Sequence, residues 1–329
     1  MRICGIIRLD LLILALAVAC SPLSLHAAPP APLPAEETMT EPSRLDQASA
    51  WLQDHLPQHA LSGIVYRLTR ITWRPFKNAF IRAFSALYEI DLTEAENADP
   101  DHYRDFNAFF TRALRQDARP LAPGERVVAS PVDGHISQIG VLDGGTLVQA
   151  KGQHFALDAL LGGDAALTQA FTGGSYATIY LSPQDYHRIH MPLSGALRRT
   201  GHIPGRLFSV NDATARTVPN LYARNERLIT VFETGAGPMA VILVGAIFVG
   251  SMETVWSGVV TPPYGKAPHW QTFNGEPRLA RGAELGRFNM GSTVILLFSP
   301  GYTAWAPERQ DGGAIRMGEA LGQVTRVAE

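Results

Sequence analysis

A chain of 329 residues, 46% apolar and 18% charged, has the composition of a folded protein with one large domain or two modest ones. Its net charge of −2 selects no class of charged partner. The two cysteines, Cys4 and Cys20, both lie in an apolar leader, which excludes a disulfide framework, thiolate metal ligands and cysteine redox chemistry from the folded body.

In chain order, residues 1–28 carry Arg2 and Arg8, an apolar run from Leu11 to Cys20, and then small residues. This leader resembles a secretory signal, and LAVAC before Ser21 has the look of a lipoprotein signal. The run falls short of the roughly 20 apolar residues of a membrane span. An export or lipid-anchor signal and an uncleaved membrane-proximal segment both stay open. Residues 29–44 form a Pro/Ala-rich linker with too little apolar patterning for a core.

Residues 45–118 read as helical with lopsided charge. No acidic residue occurs between Asp54 and Glu89, while Arg67, Arg70, Arg74, Lys77 and Arg82 alternate with apolar and aromatic residues. Pro75 predicts a division into two helices. The pattern suits either binding at an anionic membrane surface or an apolar stripe packed on a core. Asp99-Pro100 reads as the cap and first turn of a further helix that buries Phe106, Phe109, Phe110 and Leu114.

Residues 119–329 are short β-rich runs punctuated by glycine and proline: 130–140, 145–150, 174–181, 228–234 and 239–256. The last two, joined by Gly235-Ala236-Gly237-Pro238, predict a hairpin, and Gly245 and Gly250 in its second arm predict bulges or close backbone approach. A further buried strand, Thr293–Phe298, follows Gly291-Ser292. The fold class is therefore α+β: an N-terminal helical part packed on a mainly antiparallel β-rich domain.

Ser292, at the entrance of that strand, is either a turn residue or a nucleophile, and a nucleophile needs a base and a group that orients the base. Two clusters offer them. In Tyr186-His187-Arg188-Ile189-His190-Met191-Pro192 the histidines share a face if the segment is a helical turn. As a metal site this H-x-x-H lacks the glutamate of HExxH. In Ser130-Pro131-Val132-Asp133-Gly134, Asp133 is either turn chemistry or the carboxylate behind a histidine.

Taken in order, SPVDG, QAKGQHFALDALLGG, LSPQDYHRIHMP, LFSVN, VPNLYARNER, VGAIFVGSMETVW and GRFNMGSTVILLF resemble the bacterial phosphatidylserine decarboxylase proenzymes. The likeness runs from about residue 60 to residue 301. It implies self-cleavage between Gly291 and Ser292 into a β chain ending at 291 and an α chain of 292–329. Ser292 would attack the Gly291 carbonyl, with His190 as base and Asp133 orienting it. The product at position 292 would be a covalent pyruvoyl cofactor that forms a Schiff base with phosphatidylserine, giving phosphatidylethanolamine and CO2. His187 would bind the carboxylate or handle the incoming proton.

The resemblance also implies a lyase of phospholipid biosynthesis, made of its own two chains as a heterodimer, in a possible higher homo-oligomer, with no metal and no nucleic acid. Its place would be the bacterial cytoplasmic membrane, peripherally bound, or the periplasmic face or a lipid anchor because of the leader. A conventional serine hydrolase could use the same three residues, but the chain has no G-x-S-x-G elbow around Ser292.

Overall fold

A computed structural model describes residues 43–150, 153–248, 251–289 and 293–327. The leader, the linker up to residue 42, Gly250 and the Gly291–Ser292 bond lie outside the described residues.

Helix α1 (Arg44–His55) opens with a capping box. The Ser43 hydroxyl accepts from Asp46 N–H, and the Asp46 carboxylate accepts from Ser43 N–H. Helices α2 (Gln58–Leu68) and α3 (Arg74–Leu87) part just ahead of Pro75: Trp73 is the extended cap residue, and the proline occupies the first turn of α3, where its missing N–H has no intrahelical partner to lose. The next helix differs from expectation. Asp99 caps only a 3-10 turn, Pro100–His102, after which Tyr103 is extended. The phenylalanines lie instead on α4 (Phe106–Phe110), capped by Asp105, whose carboxylate accepts from Ala108 N–H at 2.8 Å. Leu114 falls outside it and bridges to Ala95.

The β-rich part begins with β1 (Val127–Ala129), β2 (Gly134–Val141), β3 (Thr146–Ala150), β4 (Gln153–Ala156), β5 (Ser175–Tyr180), β6 (Arg188–His190) and β7 (Gly195–Ile203). It continues with β8 (Arg227–Thr234), β9 (Gly237–Val244), β10 (Met252–Thr254), β11 (Gly258–Val259), β12 (His269–Thr272), β13 (Arg278–Leu279) and β14 (Glu284–Phe288). The last are β15 (Thr293–Phe298), β16 (Thr303–Trp305), β17 (Ala314–Ile315) and β18 (Ala320–Val324).

Among the described residues the largest sheet has nine strands in the order β12-β7-β8-β9-β15-β5-β2-β17, with β13 also on β7. Its pairings are antiparallel. A four-stranded sheet, β11-β10-β14-β6, and a three-stranded one, β1-β18-β16, accompany it. The hairpin of β8 and β9 forms as predicted, but its second arm stops at Val244. There Gly245 donates its N–H to Glu226 O, and its carbonyl accepts from Asn225 Nδ2, so the chain turns off and Met252–Thr254 joins the smaller sheet.

Strand β15 is apolar from Val294 to Phe298 because both faces of the sheet are covered. Ile295 and Leu297 pack in a core with Phe80, Phe84, Phe106 and Phe109 of α3 and α4. Val294, Leu296 and Phe298 pack in another core with Ile189, Met252, Leu285 and Phe288 of the four-stranded sheet. Each such fully buried aliphatic contributes about 1.5–3 kcal/mol. The entrance of β15 is thereby fixed in a cross-strand row, Val244–Thr293–Tyr180–His135.

Candidate active site

Asp133 stands at the head of β2, just before Gly134. That glycine has φ of 155°, and a Cβ on it would lie 2.2 Å from the Tyr180 carbonyl oxygen, so the close approach of β2 to β5 excludes any side chain there. The Asp133 carboxylate accepts from Arg119 Nε at 2.9 Å and Nη2 at 2.6 Å, and from Met317 N–H at 2.8 Å. Arg119 also pairs with Glu94 at 2.8 Å. Burial works against the Arg119 charge, but the hydrogen bonds it donates to Asp133 and Glu94 outweigh that and hold the pKa above its ordinary value.

The two histidines are not on one face of a helical turn. His190 ends strand β6 and His187 precedes it. A separation of three along an extended chain sends the two rings to different surroundings. His190 Nδ1 lies 2.8 Å from the Gly282 carbonyl, and Nε2 lies 3.0 Å from the Tyr186 hydroxyl. A carbonyl only accepts, so Nδ1 carries the hydrogen and Nε2 keeps the lone pair, to which Tyr186 donates. Burial lowers the His190 pKa, which keeps that lone pair available at neutral pH. Burial also pushes the Tyr186 hydroxyl up to about 12, so it stays a donor.

His187 is fully buried and stacked on Phe110, with ring centroids 4.1 Å apart and planes at 14°. Neither ring nitrogen completes a hydrogen bond of good geometry, although the Pro183 and Ser182 backbone lies close enough to favour the charged ring slightly. Burial, and secondarily the nearby Arg112 guanidinium, depress its pKa to about 3, so it is neutral at physiological pH. An unsatisfied buried polar group of this kind costs about 1–3 kcal/mol.

Backbone hydrogen bonds bring the three predicted segments together. His190 N–H donates to Pro131 O, two residues before Asp133, and Phe288 N–H donates to His187 O, four residues before Ser292. Strand β14 pairs with β6, Arg287 opposite Arg188. The structure does not join Asp133 to His190 directly: the carboxylate is taken by Arg119 and Met317, and the imidazole by Gly282 and Tyr186. Ser292 and Gly291 lie outside the described residues.

The sequence profile described as phosphatidylserine decarboxylase matches residues 106–323, and a second, described as PSD, matches residues 48–89. A phosphatidylserine decarboxylase proenzyme of Methylococcus capsulatus is 54% identical over 83% of this chain and 95% of its own length. One of Nitrosococcus oceani is 54% identical over 83% and 90%, and one of Azotobacter vinelandii 50% identical over 83% and 96%. The chain belongs to the phosphatidylserine decarboxylase family.

In this family member the site opens on a cavity of about 460 Å³, lined among others by Arg112, Arg119, Asp133, His135, Asp185 and Tyr186. Three contributors escape sequence reasoning. Tyr186 lies inside the quoted YHRIHMP run but carries no signal of contact with a residue four positions on. Arg119 reads as a boundary before Pro120, although a cation near Asp133 in sequence was a usable signal. The Gly282 carbonyl carries no side-chain signal at all.

Proposed function

We propose that the chain is a proenzyme that cuts itself between Gly291 and Ser292 and decarboxylates phosphatidylserine at the group the cut creates. Family membership supports the reaction, and one structural observation supports the residues: the backbone bonds His190–Pro131 and Phe288–His187 tie the histidine, aspartate and pre-serine segments together. In the cut, Tyr186 gives up its hydrogen bond to His190 Nε2, and the freed lone pair takes the Ser292 hydroxyl proton as Oγ attacks the Gly291 carbonyl carbon. The C–N bond breaks, the proton passes to the amine of residue 292, and an ester remains. Glu284 and Asp133 both favour the protonated imidazole that forms in between. Loss of the Cα proton of residue 292 then breaks Cβ–Oγ and frees Gly291 as a carboxylate. The dehydroalanine left behind takes up water and loses ammonia to give a pyruvoyl group.

The surroundings suit such a group. Thr293 Oγ1 and both His187 ring nitrogens are buried without hydrogen-bond partners among the described residues, polar atoms that a carbonyl or its substrate would satisfy. When present, the pyruvoyl supplies a ketone that condenses with the substrate amine and draws off the electron pair freed with CO2. His187, neutral and shielded, is assigned to the carboxylate or to the proton that replaces it. The two pieces stay together because β15, on the downstream piece, pairs along its whole length with β5 and β9 of the upstream piece.

Membrane binding is assigned to the helical part. Leu45, Trp51, Leu52, Ile64, Trp73 and Leu87 are exposed, alongside exposed Arg67 and Arg74. The basic pattern divides residue by residue: Lys77 is buried against Asn78 and the Asp101 carbonyl, Arg82 pairs with Asp101, and Arg70 covers the Tyr66 ring. No helix of the described residues is long and apolar enough to cross a membrane.

Intact mass under denaturing conditions tests the proposal. Wild-type protein is expected as two chains divided at 291/292, and Ser292→Ala, Asp133→Asn and His190→Ala as single chains. Active enzyme made of one uncut chain would overturn it.

A further inference from the structure

Asn289 is the last described residue before the Gly291–Ser292 bond, and its side chain is 1% exposed. Its amide is engaged on both sides. Oδ1 accepts from Asn107 Nδ2 at 3.0 Å, and Nδ2 donates to Ser251 Oγ at 2.9 Å and to Glu253 Oε2 at 3.5 Å. Its backbone N–H donates to Ser251 O at 3.0 Å, extending by one residue the pairing of Phe288 with Met252. The carboxylate of Glu253 fixes the sense of the amide, because only the NH2 end can face an acceptor.

The partners come from separate parts of the fold. Asn107 lies on α4, the helix whose Phe110 stacks on His187, and its own N–H donates to Thr69 O beyond the end of α2. Ser251 and Glu253 lie at β10. On the far side of the Gly291–Ser292 bond, Thr293 is fixed between Val244 and Tyr180. An apolar side chain at position 289 would fill the same space with no directional demand. A buried, hydrogen-bonded amide specifies one arrangement of the chain instead.

We propose that Asn289, clamped by Asn107 and Ser251, is a positioning residue for self-cleavage: it sets the path of the chain that delivers the Gly291 carbonyl to Ser292. This rests on the self-cleavage reading above. The reaction is intramolecular between adjacent residues, so its rate depends on how often carbonyl carbon and hydroxyl oxygen meet at attack distance. A displacement of about 1 Å can cost about 100-fold. The clamp acts on position 292 through the covalent chain. Once the bond before 292 is broken, Asn289 belongs to the other piece and its hold on that position ends. Its loss should therefore slow maturation more than catalysis.

The test follows chain cleavage by intact mass against time in full-length Asn289→Ala, Asn107→Ala, the double variant and Ser251→Ala. Decarboxylation of phosphatidylserine vesicles is measured per mole of cleaved chain, and thermal melting serves as a control. Cleavage is expected to slow about 10- to 100-fold in Asn289→Ala. Asn107→Ala and Ser251→Ala should slow it less, and the double variant should be no slower than Asn289→Ala alone. Decarboxylation per cleaved chain should fall by a smaller factor than cleavage does. Cleavage at the wild-type rate in Asn289→Ala, or parallel loss of both rates with a lowered melting temperature, overturns the clamp. Wild-type protein that never cuts overturns the self-cleavage reading instead.

Discussion

The surroundings of His187 and of His190 are opposite, though the two residues are three apart. His187 is stacked flat on Phe110 with both nitrogens unsatisfied. His190 has both nitrogens satisfied, by the Gly282 carbonyl and the Tyr186 hydroxyl. Their neighbours make the difference: Phe110 of α4 packs on the His187 ring, and the Gly282 carbonyl meets the His190 ring. A histidine held by its neighbours has a defined tautomer and a defined lone pair, as a base for one specific hydroxyl requires. A histidine held mainly by stacking, with no well-formed hydrogen bond, leaves polar atoms for a ligand. In the proposed function maturation falls to His190 and turnover to His187, and that division can be broken experimentally.

The largest effect is expected from separating those roles. His190→Ala should slow cleavage by about 10²–10⁴-fold. His187→Ala should leave cleavage nearer to wild type while decarboxylation per cleaved chain falls by about 10²–10⁴-fold. Time courses of intact mass beside CO2 release decide this, and equal losses in both assays for either variant would dissolve the distinction.

Next in size is the stack. Phe110→Ala should destabilise the protein by about 3–5 kcal/mol in urea unfolding. The uncut Ser292→Ala protein is the background for this measurement, so that one chain unfolds. A cost below about 1 kcal/mol would mean that the aromatic slot does not hold His187.

The His187 pKa sets a third, smaller effect. Its folded value, about 3, lies below the unfolded value of 6.5. The unfolded chain therefore binds the proton first, and the contribution is intact above pH 6.5 and lost as pH falls toward 3. At pH 5 the loss amounts to about 2 kcal/mol. In the same uncut background, His187→Phe should flatten the stability profile between pH 6.5 and 5, and an unchanged slope would show that the ring is accessible to protons.

The smallest effect belongs to Tyr186. Its O–H stabilises the neutral His190 imidazole by donating to Nε2, so Tyr186→Phe removes a brake on protonation and raises the His190 pKa. The acid limb of the cleavage rate, expected below pH 6.5 because burial lowers that pKa, should move to higher pH by less than about one unit. A shift in the other direction would show that Tyr186 accepts from the ring, reversing the tautomer.

By itself the sequence determined the α+β class, the division at Pro75, the hairpin of β8 and β9 and strand β15 from its first residue to its last. These rest on local chemistry: a fixed proline φ, glycine in a turn, and β-branched and apolar residues between breakers. It also determined the family, because the residue types and order of its motifs carry the likeness. Tertiary structure decided what each side chain does there. Asp105 rather than Asp99 starts the phenylalanine helix, and Lys77 is buried where the charge pattern put it on the surface. The Gly282 carbonyl orients His190, while Arg119 holds Asp133. The Gly282–His190 pairing joins residues 92 positions apart, and one partner is a backbone carbonyl, a group every residue has and no sequence pattern marks.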